Sequence, residues 1–334
     1  MNGQTFPVQH SILSECALAE WAAHRYGLPE PVRCHYLRGS MSDAYLLETL
    51  WEKYILKVHQ HGRHSLEEIQ AEVDFINDLL SQGIPVVVPV MDQEAAYVNE
   101  LAAPEGVRAA VLFKFTEGET PRETNLGLSR EFGRLAGRIH HAADTLGGKY
   151  RRKHLDEKYL VQEPLRQMRP WMEHRIGDWE FLQGLGNELI RELQGLLPKE
   201  SPVYGMCHGD LHTGNARFSK NGTLNLFDFD SCGYGWRVLD IGVYHVSYDW
   251  MDLSEKTRRK KKRFWEAFLE GYATGRSLSE NELKANRLCL PLRHFELMGA
   301  TIRYWAPQIG SDWINDEYFD RHLVWFREWS HQYR

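Results

Sequence analysis

The stretch that decides the fold reads Cys207-His208-Gly209-Asp210-Leu211-His212-Thr213-Gly214-Asn215 and, a few residues later, Leu224-Asn225-Leu226-Phe227-Asp228-Phe229-Asp230. Asp210 and Asn215 lie five residues apart in a glycine-containing loop, and an apolar strand pattern then runs directly into Asp228. A loop carboxylate, a carboxamide and a carboxylate after the next strand form the arrangement that holds a hydroxyl nucleophile and magnesium beside the γ-phosphate of a nucleotide. The stretch therefore predicts a phosphoryl-transfer site.

These two segments resemble the catalytic segment of the aminoglycoside phosphotransferase/choline kinase superfamily, whose members are small-molecule kinases with a protein-kinase-like fold. They are similar to the protein-kinase motifs His-Arg-Asp-Leu-x-x-x-Asn and Asp-Phe-Gly. The resemblance implies that Asp210 orients and deprotonates the acceptor hydroxyl, that Asn215 and Asp228 hold magnesium, and that His208 braces the loop. The Phe-Asp-Phe-Asp-x-Cys-Gly segment is most similar to the homoserine-kinase-type and stress-response-kinase branch.

Two further carboxylates follow the strand. Asp230 is predicted either as a second metal ligand or as a side chain that stabilises the turn. Asp240 precedes the helical run 241–246, where it is placed to cap the helix, and the resemblance implies that it braces the backbone of the catalytic loop. Only residues 231–239 separate the two carboxylates, and no Ala-Pro-Glu element follows. This leaves little room for a long activation loop and disfavours a regulated protein kinase.

A lysine within an apolar strand pattern is the second signal. Tyr54-Ile55-Leu56-Lys57-Val58 resembles the Val-Ala-Ile-Lys strand, whose lysine neutralises nucleotide phosphates. A buried ammonium requires an anionic partner. Ser65 and Glu68 form a capping-box pattern at the start of the next helix, so Glu68 already has a role. Glu72 lies one turn later, beside the apolar stripe, and is the predicted partner of Lys57; the alternative is a flanking surface charge.

Residues 38–43, Arg-Gly-Ser-Met-Ser-Asp, lie where a kinase places its phosphate-covering loop. A single glycine makes them a poor match to the protein-kinase loop, although the resembled superfamily has fewer glycines there. The backbone N–H groups around Ser40 and Ser42 are predicted to contact phosphates. A plain hairpin turn remains the alternative.

Residues 113–118, Phe-Lys-Phe-Thr-Glu-Gly, resemble the hinge between the two lobes of a kinase. The resemblance implies that the backbone of Lys114 and of Thr116 binds the edge of adenine. The Gly-Glu-Thr-Pro sequence that begins at residue 118 is consistent with a domain boundary.

The totals are compatible with this interpretation. The 334 residues suggest about two domains, and 43% hydrophobic with 26% charged residues is typical of a globular protein. We predict an α+β, bilobal, protein-kinase-like fold. Residues 1–113 would form a small antiparallel-β nucleotide-binding lobe with one main helix. Residues 114–118 would form the hinge, and residues 119–334 a larger, mostly helical catalytic and substrate-binding lobe.

Partners and location are predicted from charge and from the absence of sequence signals. The net charge of −6 gives no general attraction to nucleic acid or to anionic membranes, and the basic run 258–263 is interpreted as a solvated helix face. We expect no signal peptide and no membrane span. Five widely spaced cysteines argue against a disulfide framework and favour the cytoplasm. No spacing supports a zinc site.

The predicted reaction is ATP- and Mg²⁺-dependent transfer of the γ-phosphoryl group to a hydroxyl of a small molecule, with GTP not excluded as donor. The acceptor would be an aminoglycoside or other antibiotic, an amino alcohol, a hydroxy amino acid or a sugar. The alternatives are a protein Ser/Thr kinase of the stress-response type and a non-catalytic nucleotide-binding module. Residues 150–178 are predicted to be irregular. Their aromatic residues would stack on an acceptor, Glu173 or Asp178 would bind a cationic acceptor, residues 151–153 would bind an acidic one, or the segment is a surface loop. We expect a monomer or a homodimer.

Overall fold

The structure is a computed structural model that describes residues 6–39, 41–121, 125–146, 150–246 and 251–333. The chain divides into two compact units: Met1–Ser81 with Val86–Glu117, and Gln82–Pro85 with Gly118–Arg334. Both contain helices and antiparallel strands, which is the predicted α+β class. Within the described parts, no helix has the length and the apolar character that crossing a bilayer requires.

The first unit is built on one antiparallel sheet. Its strands are β1 (Arg33–Gly39), β2 (Ser42–Glu48), β3 (Lys53–His59), β4 (Pro89–Val90), β5 (Val98–Ala103) and β6 (Gly106–Lys114), and its helices are α1 (Glu15–Tyr26) and α2 (Leu66–Ser81). The strands follow the order β1-β2-β3-β6-β4, and β5 also pairs with β6. Leu56 and Val58 lie in the core that the sheet forms with α1. Because side chains alternate along a strand, Lys57 faces the opposite side of the sheet.

Helix α2 begins as the sequence predicts. The N–H of Ser65 donates to Glu68 Oε2 at 2.9 Å, and the N–H of Glu68 donates to Ser65 Oγ at 3.2 Å. These reciprocal bonds satisfy donors that a helix start leaves without partners. The buried face of α2 includes Ile69 and Val73, and Glu72 is buried with them. The capping box therefore fixes the start of α2, and the apolar spacing then brings Glu72 to its buried face.

The second unit is mostly helical, as predicted. Its helices are α3 (Leu126–Thr145), α4 (Glu163–Met168), α5 (Ile176–Leu196), α6 (Arg237–Val246), α7 (Glu255–Tyr272), α8 (Glu280–Ala300), α9 (Ala306–Ile309) and α10 (Asp316–Tyr333). Its strands are β7 (His154–Leu155), β8 (Tyr204–Cys207), β9 (Ala216–Phe218), β10 (Leu224–Leu226) and β11 (Gly233–Trp236). Strands β9 and β10 form a hairpin, and β11 lies between β7 and β8.

Close packing of α3 against α7 explains a glycine in the middle of α3. A Cβ on Gly133 would lie 1.9 Å from the carbonyl oxygen of Phe268, so only glycine allows the two backbones to approach this closely. Two turns later, His140 is fully buried on the same helix, with Nδ1 2.7 Å from the hydroxyl of Tyr272. The helix therefore has a packing face and carries a buried histidine.

The stretch 150–178, predicted to be irregular, contains short regular elements. Strand β7 is followed by a π-helical turn, Lys158–Gln162, and by α4. Each element is too short to give a recognisable hydrophobic period, and the π-turn and α4 both pack on α8. Tertiary packing, which a local pattern does not report, decides the conformation here.

Candidate active site

The β9–β10 hairpin sets Asn215 and Asp228 next to each other at its open end. Leu226 pairs with Ala216, and one residue further the N–H of Phe227 donates to the carbonyl of Asn215 at 3.0 Å. Asp228 then adopts φ 65° and ψ 60°, a left-handed conformation that few residues other than glycine tolerate and that Asp accepts more readily than most. The chain turns sharply there, immediately after the residue that pairs with Asn215.

The amide of Asn215 has a defined orientation. Its Nδ2 donates to the backbone carbonyl and to Oδ2 of Asp210, both at 3.0 Å. No donor among the described residues reaches the Asn215 Oδ1 atom, although the side chain is buried. The nitrogen therefore binds Asp210, and the oxygen is the atom of this amide that could bind a cation. Magnesium prefers such oxygen ligands.

The carboxylate of Asp210 is surrounded by donors. Arg293 Nη2 donates to Oδ1, and His212 Nε2 lies 3.3 Å from Oδ2. Burial alone would raise the pKa of Asp210, but the Arg293 charge and the His212 hydrogen bond outweigh it and hold that pKa well below its usual range. Asp210 is therefore ionised at neutral pH.

Asp240 accepts hydrogen bonds from the loop backbone, which agrees with the bracing role that the resemblance implies. Helix α6 begins at Arg237, so Asp240 lies inside its first turn and is not its cap. Asp240 Oδ2 accepts from the N–H of His208 at 2.7 Å, and Oδ1 accepts from the N–H of Gly209 at 2.8 Å. His140 Nε2 lies 3.0 Å from Asp240 Oδ2. Burial lowers the pKa of His140 to about 4, so the ring is a neutral donor at pH 7. Gly209 has φ 83°, and a Cβ there would lie 2.2 Å from the carbonyl oxygen of Ser231, so the loop requires glycine.

His208 links the loop to the hairpin, a geometry that agrees with its predicted bracing role. Its Nδ1 accepts from the N–H of Asp210 at 3.2 Å, and its Nε2 lies 3.1 Å from the carbonyl of Phe227. These bonds fit a neutral ring with the proton on Nε2. The residue before Asp228 and the loop that carries Asp210 are thereby held together.

Asp230 is buried in a 3₁₀ turn, Phe229–Ser231. Arg152 donates to the carbonyl of Asp230 at 2.6 Å and to that of Cys232 at 2.9 Å. The Arg152 side chain therefore binds this backbone and is not exposed to bind an acidic acceptor. The sequence alone had left that role open. Its role in fixing the turn was not predicted.

In the first unit, Lys57 and Glu72 form the predicted pair. Lys57 Nζ lies 3.6 Å from Glu72 Oε1, and the two residues are 7% and 2% exposed. Lys57 belongs to β3 and Glu72 to α2, so the pair joins the sheet to the helix beside it. A surface-charge role for Glu72 is wrong.

The segment predicted to cover phosphates is a tight hairpin turn. Gly39 at the end of β1 pairs with Asp43, and Ser42 is the first residue of β2. Ser40 lies outside the described residues. The pairing of Gly39 with Asp43 agrees with the alternative, a plain hairpin turn.

At the predicted hinge, two backbone donors are already used. The N–H of Lys114 donates to the carbonyl of Val88 at 2.8 Å, and the N–H of Phe115 donates to that of Lys53 at 3.0 Å. The backbone of Thr116 has no hydrogen-bond partner among the residues that the structure describes. A base edge at this segment would therefore use the N–H or carbonyl of Thr116, or the carbonyl of Lys114.

The sequence analysis missed the groups that α8 directs at Asp210. Arg293 donates to Asp210 and, through Nη1, to Glu296 Oε2. The hydroxyl of Tyr159 donates to Glu296 Oε1 at 2.8 Å. One signal was available: Arg293 and Glu296 interrupt the mainly apolar run 288–298, and charges in such a segment need partners. Nothing in the sequence identifies Asp210 as that partner.

Comparison with known proteins adds the family. The model of the phosphotransferase enzyme family (APH) matches residues 35–278, more than half of the chain. The amicoumacin kinase of Bacillus subtilis (strain 168) is 30% identical over 298 residues, which cover 85% of this chain and 84% of that protein. The homoserine kinase of Agrobacterium fabrum is 25% identical over 279 residues, which cover 83% of this chain and 79% of that protein.

A solved structure supports the same fold. Amicoumacin kinase hAmiN in complex with AMP-PNP, Ca²⁺ and Ami superposes with a TM-score of 0.74 at 24% sequence identity, over 96% of this chain and 94% of that chain. This similarity establishes the predicted protein-kinase-like fold. Together with the family match, it shows that the chain belongs to the phosphotransferase enzyme family and is a small-molecule phosphotransferase.

Proposed function

We propose that this phosphotransferase uses ATP and Mg²⁺ to phosphorylate a hydroxyl group of a small molecule. The observation that carries the proposal is the arrangement around Asn215. Its nitrogen orients Asp210, while its oxygen accepts no hydrogen bond from a described residue and lies beside the turn that carries Asp228. Phosphoryl transfer needs a positioned nucleophile and neutralised phosphate charge more than it needs covalent chemistry. One amide group connects both requirements here. GTP is an alternative donor.

Asp210 is the proposed catalytic residue. Its ionised carboxylate accepts a hydrogen bond from the acceptor hydroxyl and directs the oxygen lone pair toward phosphorus. A carboxylate with a depressed pKa is a weak base. It therefore acts mainly by orientation, and it takes the proton once the new O–P bond has made the hydroxyl acidic.

Asn215, Asp228 and Asp230 are the proposed magnesium ligands. The donor set fits, because it offers one carboxamide oxygen and two carboxylates, which are the hard oxygen ligands that Mg²⁺ takes. Bound magnesium would supply the positive charge that stabilises the phosphates during transfer. His208 and Asp240 support these ligands through the loop backbone and the Phe227 carbonyl.

In the first unit, we propose that Lys57, held by Glu72, binds the nucleotide phosphates. We also propose that the backbone of Ser40 and Ser42 contacts phosphates and that the backbone of Lys114 and Thr116 contacts the base. The corresponding division is a nucleotide-binding part up to residue 113, a hinge at 114–118 and a catalytic part from residue 119. The contact from Lys114 would come from its carbonyl, because its N–H is bound to Val88.

The proposed acceptor is a hydroxyl compound that also carries an amino group. The similarity to proteins named homoserine kinase and amicoumacin kinase supports this class, since homoserine is a hydroxy amino acid. We further propose that the enzyme works in the cytoplasm, where ATP is available.

A coupled ADP-release assay tests the proposal. The acceptors would be homoserine, hydroxylysine, choline-like amino alcohols, amicoumacin and aminoglycosides, with a generic protein substrate as a control for protein kinase activity. We expect ADP release that depends on one class of small acceptor. Failure of every acceptor, or a preference for the protein, would contradict the proposal.

A metal titration tests the proposed role of Asp228. In the Asp228→Ala variant, we expect nucleotide affinity to lose its dependence on the Mg²⁺ concentration, because a charged ligand has been removed. Asp74→Ala, which removes an exposed carboxylate from α2, is the control and should titrate like the unmodified chain. An unchanged Mg²⁺ titration in Asp228→Ala would rule out the metal role.

A further inference from the structure

The hydrogen bonds at Asp210 leave little room for an acceptor. A carboxylate offers about four lone-pair directions. On Oδ2, Asn215 Nδ2 donates and His212 Nε2 lies 3.3 Å away as an ion-pair partner; on Oδ1, Arg293 Nη2 donates. No other described residue donates to either oxygen. The less crowded approach for an acceptor hydroxyl is therefore on Oδ1, beside the guanidinium of Arg293.

Arg293 is itself held firmly. Its side chain is 14% exposed, and its second nitrogen, Nη1, donates to Glu296, one turn later on α8. The other oxygen of Glu296 accepts from the hydroxyl of Tyr159 at 2.8 Å. Both carboxylates bound by this arginine are thus engaged at fixed geometry, and a planar guanidinium suits such a bridge better than an ammonium does.

The support extends to the π-helical turn Lys158–Gln162, which contains Tyr159 and packs on α8. The ammonium of Lys153 lies 4.4 Å from the centre of the Tyr159 ring, a cation–π contact on the same side chain. π-Turns are rare and frequently occur at functional sites. The series Tyr159–Glu296–Arg293 therefore holds Asp210 at Oδ1 from α8, whereas its own loop holds it at Oδ2.

We propose that Arg293 is a positioning residue for phosphoryl transfer, which fixes the rotation of the Asp210 carboxylate so that the remaining lone pair of Oδ1 meets the acceptor hydroxyl. This inference rests on the proposed function of Asp210. The terminal torsion of an Asp side chain is broad and roughly two-fold, so a carboxylate held only at Oδ2 would sample several orientations. A small misplacement of a reacting group costs about 100-fold in rate.

The test is the kinetics of Arg293→Met and Arg293→Lys with the acceptor found in the ADP-release assay. In Arg293→Met, we expect kcat to fall roughly 100-fold, while the KM for nucleotide stays within about twofold. Arg293→Lys keeps the charge but loses the bridge to two carboxylates, so it should recover about a tenth of the unmodified kcat. Arg287→Met is the matched control. Arg287 lies on the same helix and pairs with Glu192, and its loss should leave kcat unchanged.

Glu296→Gln keeps the test decisive if the Arg293 variants fail to fold. It retains hydrogen bonding to Arg293 but removes a charge, so kcat should fall several-fold with nucleotide KM preserved. The inference would be overturned if Arg293→Met kept a kcat within twofold of the unmodified value. If only Glu296→Gln folds, the same result in that variant would overturn it. Equal losses in Met and Lys variants together with weakened nucleotide binding would also overturn it, because they would indicate a purely structural contact. An unmodified chain that phosphorylates no acceptor would instead count against the proposed function.

Discussion

The loop 207–215 and helix α8 both hold Asp210, but they do so in different ways. The loop acts through short-range bonds: Asn215 reaches Asp210 from five positions away, and His208 reaches its N–H from two. Helix α8 acts through Arg293, 83 positions away in the chain. The loop side is tied to Asp240, whereas the α8 side is tied to Glu296 and Tyr159.

The difference shows that a local motif and a distant helix contribute different contacts to one carboxylate. The loop contacts follow from a fixed spacing, so any chain with this motif and fold can make them. The α8 contact depends on how a distant helix packs. We expect the loop to provide the chemistry that the family shares, and α8 to adjust the approach of the acceptor in this chain.

The largest effect is expected at the group that both regions hold. Replacing Asp210 with Asn keeps the shape but removes the negative charge, so the acceptor hydroxyl loses its proton acceptor. We expect kcat to fall by roughly 10²- to 10⁴-fold with nucleotide affinity changed by less than about threefold, measured by ADP release and by nucleotide titration. Turnover within tenfold of the unmodified enzyme would contradict the comparison between the loop and α8, because neither region would then affect catalysis through Asp210.

The next effect concerns the brace of the loop. Asp240→Asn cannot accept from the N–H of His208, the N–H of Gly209 and His140 together, because an amide has one oxygen. We expect the free energy of unfolding to fall by about 2 kcal/mol, with roughly a tenfold loss of kcat as the loop loses its fixed position. Urea denaturation and steady-state kinetics measure the two effects.

Glu282→Gln serves as the control for that experiment. Glu282 is buried in the same unit and accepts from the N–H of Ser279 at 2.9 Å and from Arg276 at 2.7 Å, but it has no contact with the loop. It should lose comparable stability and keep its kcat. If Asp240→Asn behaves in the same way, the brace has no part in catalysis.

The smallest effect is expected where α8 and α10 meet through two buried histidines. His294 Nε2 lies 2.7 Å from His322 Nδ1 of α10. Burial, with a smaller contribution from Arg321, lowers the pKa of His322 to about 4, and burial holds the pKa of His294 well below its usual value. Both rings are therefore neutral in the folded chain at pH 7.

The sign of the pH effect follows from that difference. A histidine in the unfolded chain has a pKa of about 6.5. Above that pH, neither the folded nor the unfolded chain binds the proton, and the contribution of His322 to stability is fully present. As the pH falls from about 6.5 toward 4, the unfolded chain binds a proton that the folded chain does not bind. The free energy of unfolding therefore decreases. His322→Gln removes the contribution of this histidine to the pH dependence. Between pH 7 and pH 5, the free energy of unfolding of the variant should fall by about 2 kcal/mol less than that of the unmodified chain.

Urea denaturation at the two pH values measures this contribution. Leu323→Ala, at a buried apolar neighbour on α10, should lower stability by the same amount at both pH values. If His322→Gln and the unmodified chain lose equal free energy of unfolding between pH 7 and pH 5, the histidine pair does not titrate as a buried neutral pair.

Much of the site could be predicted because its signals are local. The order Asp210, Asn215, Asp228 reflects the loop and the hairpin that follows it. The pair Lys57–Glu72 could be predicted because an ammonium on an apolar strand needs an anion, and helical spacing left one suitable carboxylate on the next helix.

Other contacts could not be predicted, since they join segments that no local pattern connects. Arg152 binds the carbonyls of Asp230 and Cys232 across about 80 residues. Backbone acceptors are alike along the whole chain, so no residue type identifies them. The use of the Lys114 N–H by Val88 is hidden for the same reason.

The sequence by itself determined the α+β fold and the phosphotransferase class of this protein, and it singled out the candidate residues: a loop carboxylate, a carboxamide, a hairpin carboxylate and a strand lysine. These depend on spacings of a few residues and on the need of buried charges for partners. Only the tertiary structure decided that Arg293 holds the Asp210 carboxylate, because that contact depends on where α8, with the π-turn packed on it, places this side chain. Such packing arises from many small contacts between distant segments, and no short stretch of sequence encodes it.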